Sequence, residues 1–216
     1  SSDVCSSDLV FLVPLGTGAN VLGFNRMIRS WNAVLCSDMA HTHTSESGAV
    51  EAVVGCKMLP VPSVHGKIAA ESLHAHLGAL GDMHHSQPGL VALTQSTEVA
   101  TVYTPDEIRA IVEVAHANGL YVHMDGARIA NAVVALGRDV RSVTRDLGVD
   151  MMSFGGTKNG MMMAESVVIF NKAFVRDFAT LRKQNLLLAS KMRFIAAQYI
   201  AYFENDLWLD NARHAN

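Results

Sequence analysis

Short apolar runs alternate with segments of helical spacing along most of the chain. Four or five apolar residues between turn-forming residues predict a strand, and apolar residues every three or four positions predict a helix. The clearest helix start is Thr104-Pro105-Asp106-Glu107, in which Thr104 can cap, Pro105 suits the first helical position and Glu107 completes a capping box. That helix should end at Gly119. The other predicted helices cover residues 19–28, 46–54, 68–77 and, in two pieces, 178–203; the predicted strands cover residues 10–13, 34–36, 57–61, 90–93, 120–124, 151–154 and 167–170.

This alternation predicts an α/β fold with a mainly parallel sheet and helices on both faces. Residues 1–9, SSDVCSSDL, form a biased polar segment without periodicity, and we expect a non-native or disordered tail there. We expect residues 10–216 to form one large domain that is incomplete at both ends. In such folds ligands bind outside the carboxyl ends of the strands, so polar residues at strand ends are the candidates for function.

Composition narrows the range of partners. Half of the residues are hydrophobic and 17% are charged, which is typical of a globular protein. Seventeen basic and 20 acidic residues leave a net charge of -3, so we expect neither nucleic acid nor an anionic membrane as a partner. No apolar stretch is long enough to span a bilayer. Three cysteines without a CxxC pair support neither a disulfide scaffold nor a zinc knuckle, and they favour a cytoplasmic location.

A glycine-rich turn follows the first predicted strand. In Gly16-Thr17-Gly18-Ala19-Asn20 the glycines allow a tight turn, and the helix behind them offers free N–H groups to a phosphate. The pattern is neither GxGxxG nor a Walker loop, so on this motif alone an ordinary strand-to-helix turn is the favoured interpretation.

Two further polar clusters follow predicted strands. Asp125, with Arg128 three residues later, suits a cationic ring nitrogen and an anion; alternatively, Asp125 caps the next helix and Arg128 is solvated. Lys158 stands among small residues in Ser153-Phe154-Gly155-Gly156-Thr157-Lys158-Asn159-Gly160. We expect it to be buried, with an amine free to form a Schiff base, although a surface lysine in a glycine turn is the common alternative. A phosphate turn, an aspartate at a strand end and a lysine in a tight loop are the parts that a pyridoxal-phosphate (PLP) enzyme requires.

Several segments, in order along the chain, resemble the threonine aldolase family, also called the aromatic amino acid beta-eliminating lyase/threonine aldolase group. They are HTHTSESGAVE at residues 41–51, QSTE at 95–98, TVY at 101–103, HMDGARIANA at 123–132, SFGGTKNG at 153–160 and SKMRF at 190–194. The likeness is greatest to the bacterial low-specificity branch and extends from about residue 10 to residue 216.

The resemblance implies a PLP enzyme of fold type I, commonly a homotetramer. It implies retro-aldol cleavage of L-threonine, L-allo-threonine or a related β-hydroxy-α-amino acid to glycine and an aldehyde, hence a role in glycine biosynthesis. The phosphate of PLP would lie on Gly16 and Thr17. The family's N-terminal segment and C-terminal small domain have no counterpart in this sequence, so we expect the large domain alone.

The resemblance also implies roles for single residues. Lys158 would hold PLP as a Schiff base, Asp125 would bond the pyridine nitrogen, and Arg128 would contact the cofactor or the substrate carboxylate. His41 would stack on the ring, and it or a water it orients would act as the base. Ala100 departs from the pattern, since a glycine is expected at that position.

Three alternatives remain open. Another PLP-dependent β-eliminating lyase would use the same Lys158 and Asp125 but release pyruvate. A catalytically incompetent fragment would bind PLP or partners without turnover. A metal-dependent hydrolase would use the HxH pairs at residues 41–43 and 74–76 or the pair at 84–85, but HExxH and HxxEH are absent. We therefore predict PLP as the cofactor, an amino acid as the substrate, and no metal site.

Overall fold

A computed structural model describes residues 9–216 as an α/β fold built on a seven-stranded sheet. The strands are β1 (Leu9–Val13), β2 (Asn32–Ser37), β3 (Lys57–Val61), β4 (Gln87–Thr94), β5 (Tyr121–Gly126), β6 (Met151–Gly155) and β7 (Glu165–Ile169). The helices are α1 (Gly16–Met27), α2 (His41–Thr44), α3 (Ala49–Val54), α4 (His74–Leu77), α5 (Pro105–Ala117), α6 (Ile129–Leu136), α7 (Phe178–Gln184), α8 (Arg193–Phe203) and α9 (Leu207–Ala215).

The strand order is β1-β7-β6-β5-β4-β2-β3. Strands β2 to β6 run parallel to one another, whereas β7 is antiparallel to both β6 and β1. The predicted mainly parallel sheet is therefore confirmed. Because the central strands are covered on both faces, their sequences are nearly continuous runs of apolar residues.

Two hydrophobic clusters fill the space on either side of the sheet. Alternate residues of β5 point to opposite sides, so Val122 and Met124 join the cluster that contains α5, while His123 packs against Phe24 of α1. Asp125 lies on the same side as His123, since both alternate with Met124. The α1 face of the sheet therefore carries the polar residues discussed below.

The predicted start of α5 is confirmed. The Thr104 hydroxyl accepts from the Glu107 N–H at 3.3 Å, and the Thr104 N–H donates to the Glu107 carboxylate at 2.7 Å. Gly119, where we predicted the end, has a φ of 73°. The predicted break within residues 178–203 is confirmed as well, and Leu186 there has a φ of 63°.

Two predicted helices differ from the structure. The predicted helix over residues 46–54 is only α3, because Ser47 and Gly48 have φ angles of 52° and 68° that interrupt helical geometry. The predicted helix over residues 68–77 is a 3-10 turn, Ala70–Leu73, followed by the short α4. Ile68 does not begin a helix there, because Ala69 is extended. The Ile68 N–H instead donates to the Tyr103 hydroxyl at 2.8 Å.

The predicted tail over residues 1–9 falls, except for its last residue, outside the described residues. Leu9 belongs to β1 and pairs with Ile169, so the first strand includes the last residue of that segment. None of the helices within residues 9–216 combines the length and apolarity needed to cross a bilayer.

Candidate active site

Asp125 lies near the carboxyl end of β5, at the sheet edge where ligands bind in parallel α/β folds. It is 7% exposed. Its Oδ1 accepts from the Ala127 N–H at 2.9 Å, and its Oδ2 accepts from the Asn20 amide at 3.0 Å. Asp125 does not cap α6, whose N-cap position is Arg128. The carboxylate is thus held in place by α1 and by its own turn.

The start of α1 has the features expected of a phosphate site. The first bond of the helix runs from the Ala19 N–H to the Leu15 carbonyl at 3.0 Å, so the N–H groups of Gly16 and Thr17 precede the helical ladder. A Cβ at Gly16 would meet nothing within 4 Å, whereas one at Gly18 would lie 2.5 Å from Leu187. Gly18 therefore serves packing, and the open space lies in front of Gly16.

The Lys158 loop packs directly on the Asp125 turn. A Cβ at Gly155 would lie 2.6 Å from the Ala127 Cα, so only glycine permits this approach. Lys158 follows in the 3-10 turn Thr157–Asn159. Asn159 anchors that turn by donating to the Tyr202 hydroxyl at 2.5 Å and to the Trp208 carbonyl at 2.8 Å.

Lys158 and Arg128 line one cleft of about 710 Å³, together with Ser96 and Ala100. Lys158 is exposed, so the prediction of a buried lysine is wrong. The turn carrying Lys158 projects from the carboxyl end of β6 into an open cleft, which explains the exposure. Within the described residues, the lining of this cleft does not include Gly16, Thr17, His41 or Asp125.

His41 begins α2 and is joined to Asp125 through two residues to which the sequence analysis gave no role. Its Nδ1 lies 2.9 Å from the Glu46 Oε1, and Glu46 in turn accepts from the Asn20 amide at 3.1 Å. The His41 N–H donates to the Glu98 carboxylate at 2.8 Å, which fixes the start of α2. A polar side chain inside a buried helix, such as Asn20, was the available signal for this connection.

Glu165 is a second carboxyl that the sequence analysis did not single out. It begins β7, is 8% exposed and stands opposite Gly155. Burial raises the pKa of Glu165, while hydrogen bonds with Thr157 and the charge of Lys158 act in the opposite direction. A glutamate at the head of an apolar strand was the only sequence signal, and it lies beside the lysine loop.

The histidine pairs do not form a metal site in the described part of the chain. No group of three or more His, Cys, Asp or Glu within residues 9–216 is arranged to hold a metal ion. His74 and His76 lie in α4 rather than on a strand, so residues two apart point in different directions. His85 is instead 2.9 Å from Asp82.

Comparison with known proteins decides the family. The sequence model described as beta-eliminating lyase matches residues 2–216. The chain belongs to this family. The match covers nearly the whole sequence, so the resemblance drawn from separate motifs is confirmed.

Several of the similar proteins are named as threonine aldolases. The chain is 42% identical over 208 residues to the low specificity L-threonine aldolase of Pseudomonas aeruginosa, covering 96% of this chain and 60% of that protein. It is 29% identical to a probable low-specificity L-threonine aldolase 2 of Arabidopsis thaliana, covering 94% and 59%. A solved threonine aldolase from Leishmania major superposes with a TM-score of 0.90 at 30% identity, covering 96% of this chain and 60% of that one. The chain thus spans about 60% of these relatives' length, and its fold is fold type I.

Proposed function

We propose that this chain is the PLP-binding part of a threonine aldolase that cleaves L-threonine, L-allo-threonine or a related β-hydroxy-α-amino acid to glycine and an aldehyde. The observation that carries the proposal is the placement of Lys158 and Arg128 on one cleft, with the Lys158 loop packed on the turn of a buried, anchored Asp125. The names of the similar proteins support the same reaction.

The residues present fit PLP. The start of α1 offers N–H groups outside the helical ladder and open space at Gly16, as a phosphate needs. An ionised carboxylate has about four acceptor positions, and two hydrogen bonds to Asp125 leave acceptor capacity for a pyridinium N–H. The Lys158 amine is accessible from the cleft.

Each of these residues then has one task. When bound, PLP supplies an electron sink for the pair left on the substrate Cα. Lys158 would attach the cofactor through its Nζ, and Asp125 would keep a proton on the ring nitrogen. Arg128 would hold the substrate carboxylate or an anionic group of the cofactor from the cleft wall. Gly16 and Thr17 would bind the phosphate through their N–H groups.

His41 would accept the proton that the β-hydroxyl group of the substrate loses. Cleavage of the Cα–Cβ bond requires that the β-hydroxyl lose its proton as its oxygen becomes the carbonyl of the aldehyde. An imidazole can accept that proton near neutral pH, directly or through a water that it orients. The His41 ring is 38% exposed, so part of it is accessible from solvent.

The decisive experiment measures products and cofactor together. L-threonine is supplied to the purified chain with PLP, and acetaldehyde, glycine and pyruvate are quantified. We expect acetaldehyde and glycine, and a visible absorbance band from lysine-bound PLP. Lys158→Ala should abolish both, whereas Lys172→Ala, which removes an exposed lysine elsewhere, should leave both unchanged. Pyruvate in place of acetaldehyde would instead indicate β-elimination.

The finer properties implied by the resemblance belong to this proposal. They are a homotetrameric assembly, a cytoplasmic location and a contribution to glycine biosynthesis. A PLP band and dimer formation without any acetaldehyde would identify the chain as a cofactor-binding fragment that needs the rest of the protein for turnover. Gel filtration beside the product assay separates these outcomes.

A further inference from the structure

A continuous series of hydrogen bonds crosses the interior between His41 and Asp125. It runs from the His41 ring to Glu46, from Glu46 to the Asn20 amide, and from that amide to Asp125, with contacts of 2.9, 3.1 and 3.0 Å. Asn20, Glu46 and Asp125 are exposed by only 2, 6 and 7%. Water therefore has little access to these contacts, and each polar atom depends on its protein partners.

The orientation of the Asn20 amide follows from its three partners. The Ser153 hydroxyl contacts the Asn20 Oδ1 at 2.8 Å, while the Nδ2 faces one oxygen of Glu46 and one of Asp125. A flipped amide would place its own oxygen against two carboxyl oxygens and lose both bonds. The Nδ2 has two hydrogens, so it donates one to each carboxyl group and is fully used.

The same geometry assigns the proton on the His41 ring. The Glu46 Oε1 already accepts the Asn20 N–H, and it is the same atom that lies 2.9 Å from the His41 Nδ1. The other oxygen, Oε2, is buried without a hydrogen-bond partner among the described residues and would carry any proton of the acid. The Oε1 is thus an acceptor in either state, and the His41 Nδ1 is the donor. The Nε2 is left with its lone pair.

We propose that Glu46 and Asn20 are positioning residues for this site: Glu46 holds His41 in the Nδ1–H tautomer so that Nε2 acts on the substrate hydroxyl, and Asn20 clamps Glu46 and Asp125 together. The consequence for catalysis rests on the proposed function, but the tautomer itself does not. A carboxyl group bonded to one ring nitrogen fixes both the ring's orientation and which nitrogen is basic.

The test reads the tautomer directly, in the PLP-free chain. Nitrogen-15 NMR distinguishes a protonated from an unprotonated ring nitrogen, and a His41→Asn spectrum identifies the His41 signals among ten histidines. Above the pH range in which imidazole is charged, we expect the proton on Nδ1. Glu46→Ala should move it largely to Nε2. Glu46→Gln keeps an oxygen where Asn20 and His41 need one and should restore Nδ1–H.

Measurements of PLP affinity and of kcat test how Glu46 and Asn20 affect cofactor binding and turnover. With PLP bound, Glu46→Ala should lower kcat on the order of 10-fold or more while the Kd for PLP changes little. Asn20→Ala should weaken PLP binding about fivefold, because Asp125 loses one of its two fixed hydrogen bonds, and it should also disturb the His41 tautomer. Circular dichroism confirms that each variant is folded.

The outcomes separate the two proposals. A wild-type His41 with its proton on Nε2, or a tautomer that Glu46→Ala leaves unchanged in a folded protein, would overturn the assignment. A chain that shows the expected tautomer but releases no acetaldehyde would support the hydrogen-bonded clamp and count against the aldolase activity. A chain that releases acetaldehyde but carries the His41 proton on Nε2 would support the aldolase activity and count against the hydrogen-bonded clamp.

Discussion

His123 offers a direct test of how burial controls a charge in this protein. Its ring is fully buried on β5, with the Phe24 ring at 4.9 Å, and neither ring nitrogen has a hydrogen-bond partner among the described residues. Burial lowers the pKa of His123 from 6.5 to about 4, and the nearby Asp125 carboxylate opposes that effect. The folded protein therefore keeps this ring neutral.

The sign of the pH effect follows from this lowered pKa. Below pH 6.5 the unfolded chain gains a proton at His123, whereas the folded protein gains one only below about 4, so acid favours unfolding. The interval is about 2.5 pH units, and at about 1.36 kcal/mol per unit the free energy of unfolding should fall by about 3 kcal/mol across it. Above pH 6.5 this contribution to the pH dependence is absent.

The assay compares the wild type with His123→Leu. Denaturant unfolding from about pH 7 to about pH 4 gives the free energy of unfolding of each protein. The wild type should lose about 3 kcal/mol more than the variant over this range, because all other titrating groups are shared. At neutral pH the variant should be at least as stable, since Leu leaves no unpaired nitrogen. Equal pH slopes, or an NMR titration of His123 with a midpoint near 6.5, would refute the reasoning.

Two backbone predictions follow from local geometry. Ala100 has a φ of 62°, so Ala100→Gly should leave the free energy of unfolding unchanged or raise it by up to about 1 kcal/mol, whereas the control Ala110→Gly in α5 should lower it by about 1 kcal/mol in the same denaturant assay. Gly155→Ala should cost about 1–3 kcal/mol and weaken PLP binding, because its Cβ would lie 2.6 Å from the Ala127 backbone. Gly78→Ala, whose Cβ would meet nothing within 4 Å, should change neither stability nor PLP binding. Denaturant unfolding measures the stability of each variant, and titration with PLP measures its cofactor affinity.

The strands were predictable because their signal is local. The predicted strand at residues 57–61 is β3 without change, and the other predicted strands lie within one to three residues of the observed ends. Buried parallel strands are short, apolar and bounded by turn residues, so neighbours along the chain suffice to identify them. The predicted helix over residues 68–77 was wrong at its start, where Ala69 is extended and only a 3-10 turn follows. The Ile68 N–H beside it is bonded to the distant Tyr103 hydroxyl, a contact that no local pattern reveals.

In the candidate site, too, the features with a local sequence signal could be predicted and those that depend on tertiary packing could not. Asp125 could be found because it directly follows a predicted apolar strand, and Lys158 because it stands in the glycine-rich turn behind another. The bond between Asn20 and Asp125 joins residues 105 positions apart, and it depends on how α1 is rotated against β5. That rotation is set by packing of Phe24 and its neighbours on the sheet, which no local pattern encodes. Exposure of Lys158 was missed for a similar reason, since the open cleft is formed by several distant segments.

The candidate site has two ends that differ in burial and in the number of hydrogen bonds that hold their side chains. At one end Asp125 is buried and bonded to two elements, which suits a group that must hold a cofactor ring in one position. At the other end Lys158 and Arg128 face an open cleft, which suits groups that meet a substrate entering from solvent. Substitutions at the buried end should therefore change cofactor affinity and the proton position on His41. On the cleft wall, substitution of Arg128 should act mainly on substrate binding and turnover, whereas substitution of Lys158 should also remove the attachment point of the cofactor.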